Sequence, residues 1–89
     1  MTETSEIRLK RLRLRSWRRG MKEMDLILGR FADAQLASLD PATLDTYDAL
    51  LGENDQDLYR WVSGQEPPPE RFAPLLARIE ASVREADSV

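Results

Sequence analysis

The sequence contains no cysteine and no histidine. Without cysteine the chain has no disulfide and no thiolate nucleophile, and without histidine it lacks the commonest metal ligand and the side chain that titrates near neutral pH. Carboxylates, lysines and two tyrosines remain for acid or base chemistry. An exposed carboxylate titrates at about pH 4, which is too low for an effective base at neutral pH. These absences predict that the protein is not an enzyme and that it acts by binding.

The sequence also lacks a long apolar run. No segment approaches the roughly 18 apolar residues that a membrane-spanning helix needs, so we predict no membrane insertion. The basic start is similar to a mitochondrial transit peptide, but Glu3 and Glu6 interrupt it, and we interpret it as part of the mature protein. The missing disulfides are compatible with a reducing compartment, and the predicted location is the cytoplasm.

The chain has 89 residues, which predicts a single domain. A domain of this size buries only about 60 to 65% of its unfolded surface, so its core must be small and regular. We expect a flexible N-terminus over residues 1–5 and one helical domain over residues 6–87, present as a monomer.

Charge is unevenly distributed along the chain. Residues 1–30 contain nine Lys and Arg and four Asp and Glu, a balance of +5, whereas residues 31–89 contain four and twelve, a balance of −8. A basic pole of this kind steers an acidic partner surface and raises the association rate more than the affinity.

The first half of the chain predicts two helices separated by Gly20. The segment 6–18 is rich in Leu, Arg and Lys, which favour helix, although Ile7 and Leu14 share one face while Leu9 and Leu12 fall on another. Gly20 breaks the propensity and offers a left-handed backbone conformation. The second helix has a clear apolar stripe with one glycine inside it, which indicates a close neighbouring backbone or a bend: Met24, Ile27, Leu28, Gly29, Phe31.

Three further helices are predicted in the second half. Asp40 and Pro41 are typical of a helix start, with the Asp40 carboxylate accepting from first-turn amides, and Gly52 is typical of a stop. A short helix begins near Asn54 or Asp55. After three prolines, the cleanest stripe of the chain follows at helical spacing: Phe72, Leu75, Leu76, Ile79, Val83. The predicted fold class is therefore all-α, a small five-helix bundle.

The segment around Gly20 carries the main functional signal. Positions 19–23 read Arg-Gly-Met-Lys-Glu, immediately before the second helix. This Arg-Gly-x-x-Glu motif resembles the signature of the SdhE family, the assembly factors of the succinate dehydrogenase assembly factor 2 type. The resemblance extends over most of residues 8–64, including the junction at 15–32 and the acidic-aromatic segment at 50–61. The C-terminal segment matches only as an amphipathic helix.

The resemblance implies a factor that binds the flavoprotein subunit of succinate dehydrogenase and promotes covalent attachment of FAD, and it leaves open whether fumarate reductase is a further client. In that family the bond joins a histidine of the partner to the 8α-methyl carbon of the flavin, so we expect FAD to belong to the partner and this chain to have no cofactor of its own. In that reading Gly20 permits close backbone approach, Glu23 makes a directed polar contact, and Arg19 binds a carboxylate or backbone carbonyls as a planar fork.

Three other residues are predicted to contribute to partner binding. Arg15 belongs to a cationic periphery that steers the partner. Asp25 lies either in the interface or on plain surface. Tyr59 is the more exposed aromatic anchor, because Trp61 shares a helical face with the core residues Leu58 and Val62.

Two alternatives start from the basic N-terminal helix. A nucleic-acid-binding protein would use its arginines on phosphates, but the rest of the chain is acidic and the pI of about 4.9 is low for that class. An amphipathic arm on an anionic membrane is the other alternative. The apolar residues of this segment do not gather on one face, which argues against it.

Overall fold

The computed structural model describes residues 4–87, which form five α-helices joined by short turns. Within that range no strand is present, so the predicted all-α class and the number of helices are confirmed. Short 3₁₀ turns at Leu36–Ser38 and Glu70–Phe72 extend two of the connections. The helices are α1 (Ser5–Trp17), α2 (Lys22–Gln35), α3 (Pro41–Leu50), α4 (Asp55–Val62) and α5 (Ala73–Asp87).

Helix α1 begins slightly earlier than predicted. Thr4 caps it, since its side-chain oxygen accepts from the amide of Ile7 at 3.2 Å, and Ser5 is already in the first turn. Of the predicted flexible segment 1–5, residues 1–3 lie outside the described range.

Two other helix starts were predicted, one at Asp40 and Pro41 and one near Asn54 or Asp55. Asn54 caps α4 by accepting from the amide of Gln56 at 2.7 Å. Pro41 opens α3 as expected, but the predicted bond from the Asp40 carboxylate to first-turn amides is absent. That carboxylate accepts instead from the hydroxyl of Thr43. A hydroxyl within reach competes with the backbone for the same acceptor.

The core lies where the apolar stripes of the helices meet. Phe31 of α2 and Tyr47 of α3 pack with ring centroids 5.7 Å apart, and both are fully buried. The Tyr47 hydroxyl is satisfied by the hydroxyl of Ser16 at 2.6 Å, so α1 is joined to α3 through a buried polar contact. Burial raises the pKa of Tyr47 to about 12. Among the helices of the described range, none has both the length and the apolar character that crossing a bilayer requires.

The mixed pattern of α1 has a simple explanation in the tertiary structure. Leu12 is fully buried and Leu9 packs against the core, whereas Ile7 and Leu14 are 57% and 56% exposed. The helix therefore has two apolar faces, and the bundle covers one of them.

Gly29 provides a seat for an indole ring. A Cβ at this position would lie 2.3 Å from the ring of Trp17, closer than any real contact. The close approach predicted for Gly29 is thus made by a side chain, and the expectation of a neighbouring backbone was wrong. The indole nitrogen of Trp17 also donates to Asp33 at 3.3 Å, which fixes the ring across α2.

This packing predicts that the effect of Gly29→Ala on stability changes sign when Trp17 is replaced by alanine. Alanine is favoured over glycine in a helix by up to about 1 kcal/mol, yet we expect Gly29→Ala to destabilise the protein by roughly 1–2 kcal/mol, because the indole is displaced. In a Trp17→Ala background the same change is expected to stabilise it by up to about 1 kcal/mol. Urea unfolding of the four proteins measures this coupling. Equal effects in both backgrounds would contradict the packing of Trp17 against Gly29.

Candidate partner-binding site

The α1–α2 junction leaves Gly20 exposed at the surface. All four glycines of the chain lie within residues 4–87, and Gly64 alone has a positive φ, so the left-handed conformation predicted as an option for Gly20 is not used. A Cβ on Gly20 would meet the Oδ2 atom of Asp55 at 3.7 Å, an ordinary contact. Neither backbone conformation nor internal packing requires glycine here. Close approach of another molecule is a remaining physical reason for glycine at position 20.

Asp55 holds the backbone of this junction from the opposite side. Its carboxylate accepts from the amide of Gly20 at 2.9 Å and from the amide of Met21 at 3.3 Å. It also accepts from Nε of Arg19 at 2.6 Å. Asp55 is the first residue of α4, where the helix dipole favours a negative charge. One carboxylate therefore connects the junction to the start of α4.

The Arg19 side chain points into the bundle. Besides Nε, its two terminal nitrogens donate to the carbonyl oxygens of Leu51 and Glu53, the latter at 2.7 Å. The side chain is only 11% exposed. Arg19 thus acts as the predicted planar fork on backbone carbonyls, but these carbonyls belong to the α3–α4 turn of the same chain. A direct role of Arg19 in partner binding stays a prediction.

Glu23 lies beside Gly20 at the mouth of a shallow cleft. It is exposed in the first turn of α2, and within the described range its carboxylate has no hydrogen-bond or ion-pair partner. The cleft has a volume of about 600 Å³ and is bounded by the junction on one side and the start of α4 on the other. Its lining residues are Gly20, Met21, Lys22, Glu23, Asn54, Asp55 and Gln56.

The other predicted site residues lie outside this cleft. Asp25 is half-buried and accepts from the amide of Arg19, so it caps the junction from the α2 side. Arg15 donates to Asp48 at 2.8 Å and lines a neighbouring hollow on α1. Tyr59 and Trp61 are both half-buried, and both pack against the core. The partner-binding roles of Asp25, Arg15 and Tyr59 stay predictions.

Asp55 is not among the site residues that the sequence predicts. A buried arginine needs a carboxylate, but the partner lies 36 positions along the chain, and several other acidic residues surround it in the sequence. The one signal in the sequence was the predicted start of α4 near Asn54 or Asp55, which places an acidic residue in the first turn of that helix.

The basic helix α1 is largely neutralised within the bundle. Arg11 and Arg15 both bind Asp48, and the hydrogen bond from Arg11 is the main cause that lowers the pKa of the Asp48 carboxyl. Arg8 binds Asp45 at 2.6 Å, and Arg13 lies 3.5 Å from a carboxylate oxygen on α2. These pairs compete with phosphate for the same guanidinium groups, which disfavours the nucleic-acid alternative.

Comparison with known proteins shows which family this chain resembles. Three curated relatives are each a mitochondrial succinate dehydrogenase assembly factor 2. The protein of Meyerozyma guilliermondii is 44% identical over 73 residues, which are 79% of this chain and 54% of that protein. The Schizosaccharomyces pombe protein is 40% identical over 70 residues, with 79% and 50% covered. The Scheffersomyces stipitis protein is 48% identical over 61 residues, with 68% and 41% covered.

The chain spans about half the length of the curated relatives it matches. A protein-family model described as "flavinator of succinate dehydrogenase" matches residues 10–83, which include α2, α3, α4 and most of α1 and α5. The resemblance seen in the sequence is thereby confirmed, and the chain belongs to the family of succinate dehydrogenase flavinators.

Proposed function

We propose that the protein binds the flavoprotein subunit of succinate dehydrogenase and promotes the covalent attachment of FAD to it. The observation that carries this proposal is the exposed pair Gly20 and Glu23 on a junction whose backbone is held from behind. The names of the relatives, succinate dehydrogenase assembly factors, support the same client. Fumarate reductase is a second proposed client, because the Arg-Gly-x-x-Glu motif does not separate these two flavoproteins.

The junction is suited to recognise a protein backbone. Gly20 has no side chain, so a client segment approaches the main chain of this protein directly. Glu23 offers a carboxylate without an internal partner, which accepts hydrogen bonds from client amides or a client cation. Because Asp55 already orders the junction, little conformational entropy is lost when the client binds.

In this proposal Arg19 acts through the junction. Its three nitrogens fasten the α3–α4 turn to the segment that carries Gly20, and so set the distance across the cleft. Arg19 is then a positioning residue, and the exposed contacts to the client come from its neighbours.

The chemistry belongs to the client. This chain has no histidine with which to form the flavin link, and it needs none if it holds two client domains so that the client histidine reaches the 8α-methyl carbon. Holding two reacting groups in a productive geometry lowers the reaction barrier by several kcal/mol, of the order of 7–11 in well-oriented cases. The protein would thus promote the reaction without a catalytic residue of its own.

The cleft itself does not fit FAD. A pyrophosphate is usually held by free backbone amides at a glycine-rich turn. The amides of Gly20 and Met21 are already bound to Asp55, and the negative charge of that carboxylate would repel a phosphate. The flavin is therefore assigned to the client in this proposal.

Glu23→Ala is expected to weaken client binding at least 30-fold. Truncating one partner of a buried polar contact costs about 2–5 kcal/mol, and Glu23 is exposed in the free protein, so its removal should leave the fold intact. Titration calorimetry with the purified flavoprotein subunit measures the affinity. The matched control is Glu70→Ala, which removes an exposed carboxylate outside the cleft. Equal affinities for the two variants would remove Glu23 from the interface.

The broader test starts from the source cells. A tagged chain should recover the flavoprotein subunit, and deletion of the gene should lower the covalently bound flavin, seen as fluorescence that survives denaturing electrophoresis. Recovery of nucleic acid with steep salt dependence, and no flavoprotein, would favour the alternative function.

The predicted cytoplasmic location and monomeric state belong to the same proposal. The names of the relatives place those proteins in mitochondria. Fractionation of the source cells, with the flavoprotein subunit followed in the same fractions, tests the location, and sedimentation equilibrium tests the state of association.

A further inference from the structure

The solvent side of α1 carries an apolar face that the bundle does not use. Ile7, Leu14 and Trp17 are 57%, 56% and 37% exposed, and with Lys10 they follow the spacing i, i+3, i+7 and i+10. That spacing places them on one side of a helix. We call these four residues the outer α1 face. The opposite side of the same helix, with Leu12, already supplies the core.

Trp17 is held in one orientation on this face. Its ring packs against Gly29, where a Cβ would overlap it, and its nitrogen donates to Asp33. Glycine inside a helix is destabilising by up to about 1 kcal/mol relative to alanine. Helix α2 is therefore less stable at the position against which this ring packs. A tryptophan ordered before binding loses little entropy when a partner covers it.

Cations border the outer α1 face. Lys10 and Arg13 line a hollow together with Leu14 and Trp17. Arg18 lines a second hollow that reaches from Leu14 to Arg19. Within the described range neither Lys10 nor Arg18 has an ion-pair partner, so both charges are available to carboxylates of another molecule.

The outer α1 face also adjoins the cleft. Arg19 contributes to the hollow beside Leu14, and the next residue, Gly20, lines the cleft. A stable protein interface covers about 800 Å² and some 20–30 residues on each partner. The cleft has seven lining residues, so a client bound there would extend past it, and this face is a neighbouring apolar surface.

We infer that the outer α1 face is a second contact surface for the flavoprotein client, which would cover it with an apolar groove bordered by carboxylates. This inference rests on the proposed function. Charge complementarity and continuity with the cleft favour the client as the occupant. An anionic membrane is disfavoured because residues 31–89 carry a balance of −8.

Leu14→Gln tests the surface. The change keeps side-chain length and removes apolar area from an exposed position, and we expect it to weaken binding of the FAD-loaded flavoprotein subunit about tenfold, or about 1.4 kcal/mol. The matched control is Ala77→Gln on the exposed side of α5, which should bind as the wild type does. Helical circular dichroism of both variants should equal that of the wild type.

A photoreactive benzoylphenylalanine adds a measurement that does not depend on affinity. Placed at position 14, it should crosslink to an apolar segment of the flavoprotein subunit that is flanked by acidic residues. Placed at position 77, it should give no crosslink. Lys10→Glu should slow association at low ionic strength, with a smaller effect at high salt.

The outcomes separate this inference from the proposed function. If the wild-type chain does not bind the subunit, the proposed function fails and the inference with it. If the wild type binds and Glu23→Ala is weakened, but Leu14→Gln behaves as Ala77→Gln and gives no crosslink, only the second surface is overturned. Leu14-dependent binding to phosphatidylserine vesicles, or Leu14-dependent dimerisation, without a crosslink to the subunit also overturns it.

Discussion

Gly20→Arg is expected to abolish the complex with the flavoprotein subunit while the helical fold persists. The new side chain would stand at the mouth of the cleft, where the proposal requires client backbone to approach. Because Gly20 is exposed and lacks a positive φ, its own backbone accepts a side chain without strain. We expect affinity to fall at least 100-fold, about 2.7 kcal/mol, and covalent flavin in a reconstituted reaction to fall with it.

Gly20→Ala is the graded control for this prediction. Its Cβ would make an ordinary 3.7 Å contact with Asp55, so the free protein should unfold at nearly the same urea concentration as the wild type. Its client affinity should lie between those of the wild type and Gly20→Arg. If Gly20→Arg unfolds the protein instead, the glycine is required by the fold, and its assignment to the interface loses its main support.

Asp55→Asn is expected to have the second large effect, because one carboxylate orders the whole junction. The substitution removes the charge that pairs with Arg19, whose side chain is 11% exposed, and leaves an amide facing two backbone N–H groups. Losing one partner of a buried ion pair costs about 3–5 kcal/mol. Since solvent still reaches this pair, we expect about 2–3 kcal/mol of stability to be lost in urea unfolding.

Asp57→Asn provides the matched control on the same helix. Both acids lie in the first turn of α4, so both changes remove similar helix-dipole stabilisation. Asp57 pairs with Arg60 at the surface, where both side chains are more than 40% exposed, and its loss should cost less than about 1 kcal/mol. Client affinity should also fall for Asp55→Asn at concentrations where it is folded. Equal stability of the two variants would contradict the central role of Asp55.

Much of the fold followed from local patterns. The stripe of α2 and the stops at Gly20 and Gly52 are short-range signals, because helix periodicity and capping involve residues within one or two turns. The capping bond of Asp40 was the exception. Thr43 lies in the same first turn and competes for its carboxylate, and sequence alone does not decide between two acceptable hydrogen bonds.

The site was only partly predictable. Gly20 and Glu23 were identified from a family motif, and both lie exposed beside the same cleft. Arg19 was placed toward a partner, yet its guanidinium is bound within the chain to groups 32 to 36 positions away. A motif records which residues occur together, and it does not say whether a side chain faces a client or its own bundle.

The sequence by itself determined the five helices, the family and the uneven distribution of charge, because each depends on residue identity and short spacing. The tertiary structure decided which of the two apolar sides of α1 is buried, which side chain rests on Gly29, and which carboxylate orders the Arg19–Gly20 junction. These outcomes depend on how helices distant in the chain pack together, and the relevant contact energies arise only once packing has brought those residues within a few ångströms.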